Sequence, residues 1–228
     1  MTLFRTAGCA VMMLVLMAAK GVAQFEDEPP AIVVGPMAGV SFSTLRGADV
    51  GDADVRVGAT AGGFLTLTFT PYFALEPQVL YIQKGANYHA DSAGVTLSTA
   101  NTLGYIELPL LFKARYPVTT GKWPLMFSAI AGPAIGINVG CEYIDNDGRS
   151  TRCGERDLGP NAMDPEATGL DFSAIFGVGV SYCHFTFQAR YDYSFNNTYT
   201  SSNSLFSSAP DIKNQAWELT LGYKIGIN

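Results

Sequence analysis

Residues 183–195 read CHFTFQARYDYSF, and this stretch decides the fold. Successive side chains of an extended chain turn to opposite faces. Phe185, Phe187, Ala189, Tyr191, Tyr193 and Phe195 therefore share one face, and Thr186, Gln188, Arg190, Asp192 and Ser194 share the other. The result is a period-2 strand with one side almost wholly aromatic and the other polar and charged. A soluble sheet alternates too, but its polar side meets bulk water. Rings packed this densely on one face, with charges of a buried type on the other, suit a strand between lipid and a polar lumen.

The same alternation recurs along the chain. Strands are expected over residues 32–43, 56–70, 73–84, 103–116, 123–139 and 169–182, then over the opening stretch, then over 215–227. Pro77 lies inside the third and predicts a bulge or local break, because proline withdraws a ladder hydrogen bond. Phe64 interrupts the second by setting a ring on its polar side. The connections alternate long and short: 44–55, 71–72, 85–102, 117–122, 140–168, a tight turn near Cys183, and 196–214. Short periplasmic turns and longer external loops are the habit of outer-membrane barrels. An open sheet edge in lipid would strand backbone donors and acceptors, so the sheet must close. The predicted fold is all-β, an eight-stranded antiparallel up-and-down transmembrane β-barrel with both termini on the periplasmic side.

Parity then sorts the charges. Glu76, Glu107, Asp171, Asp192 and Glu218 fall on the inward face with Arg56, Lys113, Arg115, Arg190 and Lys224. Eight strands enclose little more than their own side chains. Unpaired charge there would be costly, so a near-neutral, ion-paired filling is expected. Lumen glycines such as Gly132, Gly136, Gly177 and Gly179 leave room for bulky neighbours and relieve strand curvature. No helix follows them, so they are not phosphate cradles. Tyr72, Tyr116, Trp123, Tyr182 and Trp217 fall at strand ends and read as interfacial girdles.

Composition agrees. Charged residues make up 15% of 228, with 24 Gly, 11 Tyr and 14 Phe, and the net charge is −6. That excludes a nucleic-acid binder, which would carry a basic surplus. Beyond the N-terminus no apolar run reaches the roughly 18 residues of a membrane helix. At the N-terminus Arg5, the run AVMMLVLMAA from Ala10 and the small residues Gly21 and Ala23 read as a signal peptide, residues 1–23, cut before Gln24. Residues 24–31 form an acidic, proline-containing leader, and 32–228 the barrel domain. Export permits oxidation, and Cys141 and Cys153 share one loop, so a disulfide is favoured there. Zinc is the rival reading, poorly served by two cysteines without a nearby histidine. Cys183 is left as a free thiol. Asp145-Asn146-Asp147-Gly148 lacks the rest of a calcium-loop signature and reads as a turn. No cofactor or metal is called for.

Two motifs resemble a known family. YIELPLLFKARY (from Tyr105) is similar to the Y-x-E-[IL]-P-L-L-x-K strand of the PorT-like outer-membrane β-barrel proteins of Bacteroidetes, small barrels of the OmpX and OmpA kind. LEPQVLYIQKGA (from Leu75) resembles the strand that precedes it, with Gln78 where that family carries Glu. The closing WELTLGYKI fits too, although the chain ends without a terminal aromatic. The resemblance implies an outer-membrane barrel, in some members serving secretion or gliding machinery.

The functional expectation is a non-enzymatic, monomeric barrel in the bacterial outer membrane. It would be structural or adhesive, or accessory to a surface or secretion machine, and would meet lipid on its wall and protein partners through its loops. The charged interior leaves a narrow pore or small-ligand transporter as the alternative. A lipid-modifying enzyme needs an activated nucleophile beside a base, yet His89 and His184 fall at opposite membrane faces. A soluble lipocalin-like binder would need the rings inside and the charges out.

Overall fold

The computed structural model describes residues 32–48, 50, 53–92, 95–118, 125–144, 150–152, 166–200 and 211–227. Eight strands form the wall: β1 (Ile32–Arg46), β2 (Ala53–Thr70), β3 (Phe73–Ser92), β4 (Val95–Val118), β5 (Leu125–Ile144), β6 (Leu170–Tyr182), β7 (Phe185–Ser194) and β8 (Lys213–Tyr223). Each pairs antiparallel with the next. β1 pairs with β8 from Met37↔Gly222 to Arg46↔Lys213, which closes the barrel. After a break at Lys224, Ile225–Ile227 continues that seam along β1. Ser150–Arg152 pairs with the end of β5, and Glu166–Ala167 with Tyr199–Thr200 forms a separate two-stranded piece.

Alternation fixes which face is which. Phe69, Val79, Phe112, Phe176, Val178, Phe187, Trp217 and Leu221 point outward and are exposed. Inward positions of the same strands are buried: Glu76, Gln78, Leu80, Ile82 and Lys84 succeed one another at every second residue of β3. A one-residue slip would reverse every such assignment, so the pattern itself holds the register. The opening stretch behaves this way as β7, which begins at Phe185. Cys183 belongs to the turn before it, at φ 49°, a left-handed conformation tight turns use.

The outer ends of the strands differ from expectation. Residues 85–102 do not form a loop: β3 and β4 stay paired from Lys84↔Leu103 to Ser92↔Val95. β5 likewise runs on to Ile144, and β2 begins at Ala53. Outside lipid nothing requires apolar alternation, so the sequence signal stops while the hydrogen-bond ladder continues. The twenty residues of β3 reach about 65 Å along the strand. Tilted near 40°, that is roughly 50 Å of height against an apolar band of about 25 Å. Pro77 makes no bulge but sits at a local break in the ladder: pairing with β4 resumes only at Leu80, and pairing with β2 skips from Gln78 to Leu75. Pro77↔Leu110 and Leu80↔Glu107 lie in one unshifted register. The register shifts of β2 and β3 fall instead between Val55 and Thr60 and between Thr68 and Thr70.

Phe64 explains its own break in pattern. It fills the lumen with Met37 and Leu80, opposite two glycines: a Cβ on Gly222 would lie 2.8 Å from its ring and one on Gly35 3.0 Å. Leu111, Ile130, Ala134 and Ile175 form a second inward cluster. Leu45 and Ala86, with Val50, Ala53, Tyr88 and Ile212 against them, pack together towards the outer ends of the strands. Residues 1–31, Trp123, Asp145–Gly148 and Cys153 lie outside the described residues, and so does the side chain of His89.

Candidate functional site in the barrel lumen

Alongside and beyond the Phe64 cluster the lumen holds a column of polar side chains. At the periplasmic end stands Glu76 on β3. Its Oε2 receives Thr66 Oγ1 from β2 and Lys113 Nζ from β4. Its Oε1 receives Gln78 Nε2 at 2.8 Å and Gln188 Nε2 at 2.9 Å. Both oxygens are satisfied, which buried carboxylates need. Arg115 lies half-buried just beyond, donating to Thr68 Oγ1 at 3.3 Å and to the Thr70 carbonyl at 2.7 Å.

Gln78 joins this group to the next. Its Oε1 accepts Arg190 Nη1 while its Nε2 serves Glu76. A glutamate at this position would face Glu76 with no proton to offer, so the amide is what the neighbour requires. Arg190 is 0% exposed and directs Nε, at 3.2 Å, and Nη2, at 2.7 Å, at Glu218 Oε2. Sequence and space cooperate there. Arg190 lies opposite Glu218 on one side and Gly177 on the other, and a Cβ on Gly177 would come within 2.7 Å of Arg190 Cβ.

Higher in the lumen Lys84 is a hub. Its Nζ bonds Asp192 Oδ2, stands 3.5 Å from Asp171 Oδ2 and 2.9 Å from Glu107 Oε2, and lies 5.5 Å above the Tyr105 ring. Ser194 Oγ donates to Asp171 at 2.9 Å, and Asn214 Nδ2 donates to Tyr105 Oη at 3.2 Å. The satisfaction seen at Glu76 is missing here. Neither oxygen of Glu107 accepts a hydrogen bond among the described residues, nor do Asp192 Oδ1 and Glu218 Oε1.

Of the ten charges sorted inward by sequence, seven are buried in this column: Glu76, Glu107, Lys113, Asp171, Arg190, Asp192 and Glu218. Arg56, Arg115 and Lys224 are half-buried. Arg56 faces Asn87 Oδ1 at 3.5 Å near the outer end, and Lys224 sits at the break after β8, its N–H donating to the His184 carbonyl. Lys84 was not among the ten, because residue 84 stood at the expected end of its strand. Carrying the parity of Glu76 and Gln78 a few residues further would have found it. The balance of five against five therefore does not describe the deep lumen, where five carboxylates meet three cations, Lys84, Lys113 and Arg190.

Cys141, half-buried on β5, packs against Ile82, Leu103 and Tyr105. Cys183 is a free thiol. His184 stacks on Tyr223 at 5.7 Å.

A barrel sealed first strand to last, apolar outside and packed with charge inside, is a transmembrane β-barrel of the outer-membrane type. The chain belongs to the family described as outer membrane protein β-barrel domain, which matches residues 22–200. No curated protein matches it by sequence. Among solved structures it is similar to Neisserial surface protein A, at 10% identity and a TM-score of 0.42 over 87% of this chain and all of that one. It is similar to Ail of Yersinia pestis at 13% identity and 0.37, over 85% and 99%. The N-terminal barrel of Pseudomonas aeruginosa OprF gives 13% and 0.34, over 87% and 100%. Likenesses at this level assign the chain no role.

Proposed function

We propose that this is a non-enzymatic barrel whose work is done beyond the lipid, as a structural or adhesive surface element or an accessory to a surface or secretion machine of the PorT-like kind. The observation that carries the reading is the filled lumen. Arg190, Lys84, Gln188, Glu76, Glu107 and Glu218 are all fully buried in it, and the Leu45–Ala86 cluster packs towards the outer ends of the strands. A bore filled to this degree supports a non-conducting barrel, and the protruding β3–β4 hairpin with its neighbouring loops is then the part offered to other molecules. Delivery would use residues 1–23 as a cleaved signal, and an apolar wall on every side favours a monomer in lipid.

Two experiments test this. The refolded barrel in planar bilayers should give no conductance steps, and regular steps would replace the reading with a pore. Exchanging residues 86–101 for a short turn should leave a barrel that folds but no longer retains the proteins or cell surfaces bound by the full-length form. Equal retention by both forms would remove the hairpin from the account.

A further inference from the structure

The unevenness of the lumen charges has a location. Glu76 has Lys113, with Arg115 close by, whereas among the described residues Glu107, Asp171, Asp192 and Glu218 share only Lys84 and Arg190. Four buried carboxyl groups thus face two cations. Each cation also reaches one oxygen only of any carboxylate it touches: Lys84 approaches Asp192 Oδ2, Glu107 Oε2 and Asp171 Oδ2, and Arg190 takes Glu218 Oε2. Asp192 Oδ1, Glu218 Oε1 and Glu107 Oε1 are left without a hydrogen-bond or ion-pair partner among the described residues, on side chains that are 0–1% exposed. A buried anion in that condition costs several kcal/mol, so the lumen as built of protein alone is incomplete.

The orphaned groups converge. One carboxylate oxygen from each of Glu107, Asp192 and Glu218 lies within 4.8 Å of the other two. Two oxygens on opposite sides of a calcium ion, each about 2.4 Å from it, stand about 4.8 Å apart. We propose that Glu107, Asp192 and Glu218 form a buried site for one oxygen-seeking divalent cation, calcium foremost. A charge of two closes the local imbalance. One ion can also engage all three acids at once, whereas a shared proton links only two. Calcium suits the site better than magnesium, because it accepts irregular carboxylate sets and needs no strict octahedron. The three ligands come from β4, β7 and β8, so the ion would tie one wall of the barrel to the facing one. No ligand spacing betrays such a site in the sequence, since each strand gives one residue. The site stands independently of the surface role.

The test uses the full mature chain, refolded in detergent, stripped with chelator and dialysed against calcium at neutral pH. One calcium per barrel is expected. The heat-modified gel shift should also need a higher temperature with calcium than with chelator. Glu107→Gln should weaken calcium binding at least tenfold, whereas Asp211→Asn, in an outer loop, should bind as wild type does. Should Glu107→Gln fail to refold, Glu218→Gln supplies the same reading. The proposal is overturned if the wild-type barrel retains no calcium at millimolar concentration, with chelator leaving its melting unchanged. It is equally overturned if calcium binds the refolded glutamine variants as tightly as wild type.

Discussion

Replacing Arg190 by methionine isolates what the buried pair contributes. The change keeps most of the side-chain volume beside Gly177. It deletes two hydrogen bonds to Glu218 Oε2 and one to Gln78 Oε1. Glu218 is 0% exposed, and its Oε1 already lacks a partner, so Arg190→Met leaves a bare anion in the lumen. Removing one member of a buried pair costs about 3–5 kcal/mol. Losing the bond to the Gln78 amide adds about 1 kcal/mol. The double variant Arg190→Met/Glu218→Leu removes both charges together, and apolar replacement of a whole pair is close to neutral. It should recover all but about 1–2 kcal/mol, the share left with Gln78 and with packing. Urea unfolding from lipid vesicles, followed by tryptophan fluorescence, gives the three free energies. The double variant should therefore be more stable than Arg190→Met alone by about 2–5 kcal/mol. Equal losses in the single and double variants would refute the reasoning, because stability would then depend on the arginine's bulk and not on its charge.

Other outcomes follow from the same geometry. Val178→Arg sets a charge in the apolar belt, where Val178 is 62% exposed, and should cost about 2–4 kcal/mol in vesicle unfolding. Gly177→Val should slow or prevent refolding, since its Cβ would sit 2.5 Å from the Ala189 carbonyl oxygen and 2.7 Å from Arg190 Cβ; gel migration of the unboiled sample reads this directly. Mass spectrometry of the unreduced protein should join the Cys141 peptide to the Cys153 peptide and leave Cys183 open to alkylation.

The wall was legible because lipid enforces a binary code. Wherever a strand crosses the apolar band, one residue in two must be greasy, and Phe185 to Phe195 spell this without exception. Above the band that demand lapses, which is why residues 85–102 read as a loop although β3 and β4 stay paired through them. The same boundary hid Lys84, which lies on the inward parity of Glu76 and Gln78 just where the outward apolar signal fades. Parity also names the inward charges without saying how deep each sits. Arg56, Arg115 and Lys224 share the face of Arg190 but not its burial, and that depth produces the surplus of carboxylates. Which oxygens converge depends on stagger between strands that are far apart in sequence, such as β4 and β8, and no local pattern records it.

The seam between β1 and β8 carries a consequence for biogenesis. The register joins Arg46 to Lys213 and Met37 to Gly222, so the earliest strand waits for the latest before its free side is covered. No partial product of translation can satisfy its own backbone in a bilayer. The sheet cannot complete its hydrogen bonding until residues 213–227 are in place. A nascent chain halted even a dozen residues early would present two bare edges, fit for proteolysis or for pairing with a neighbour.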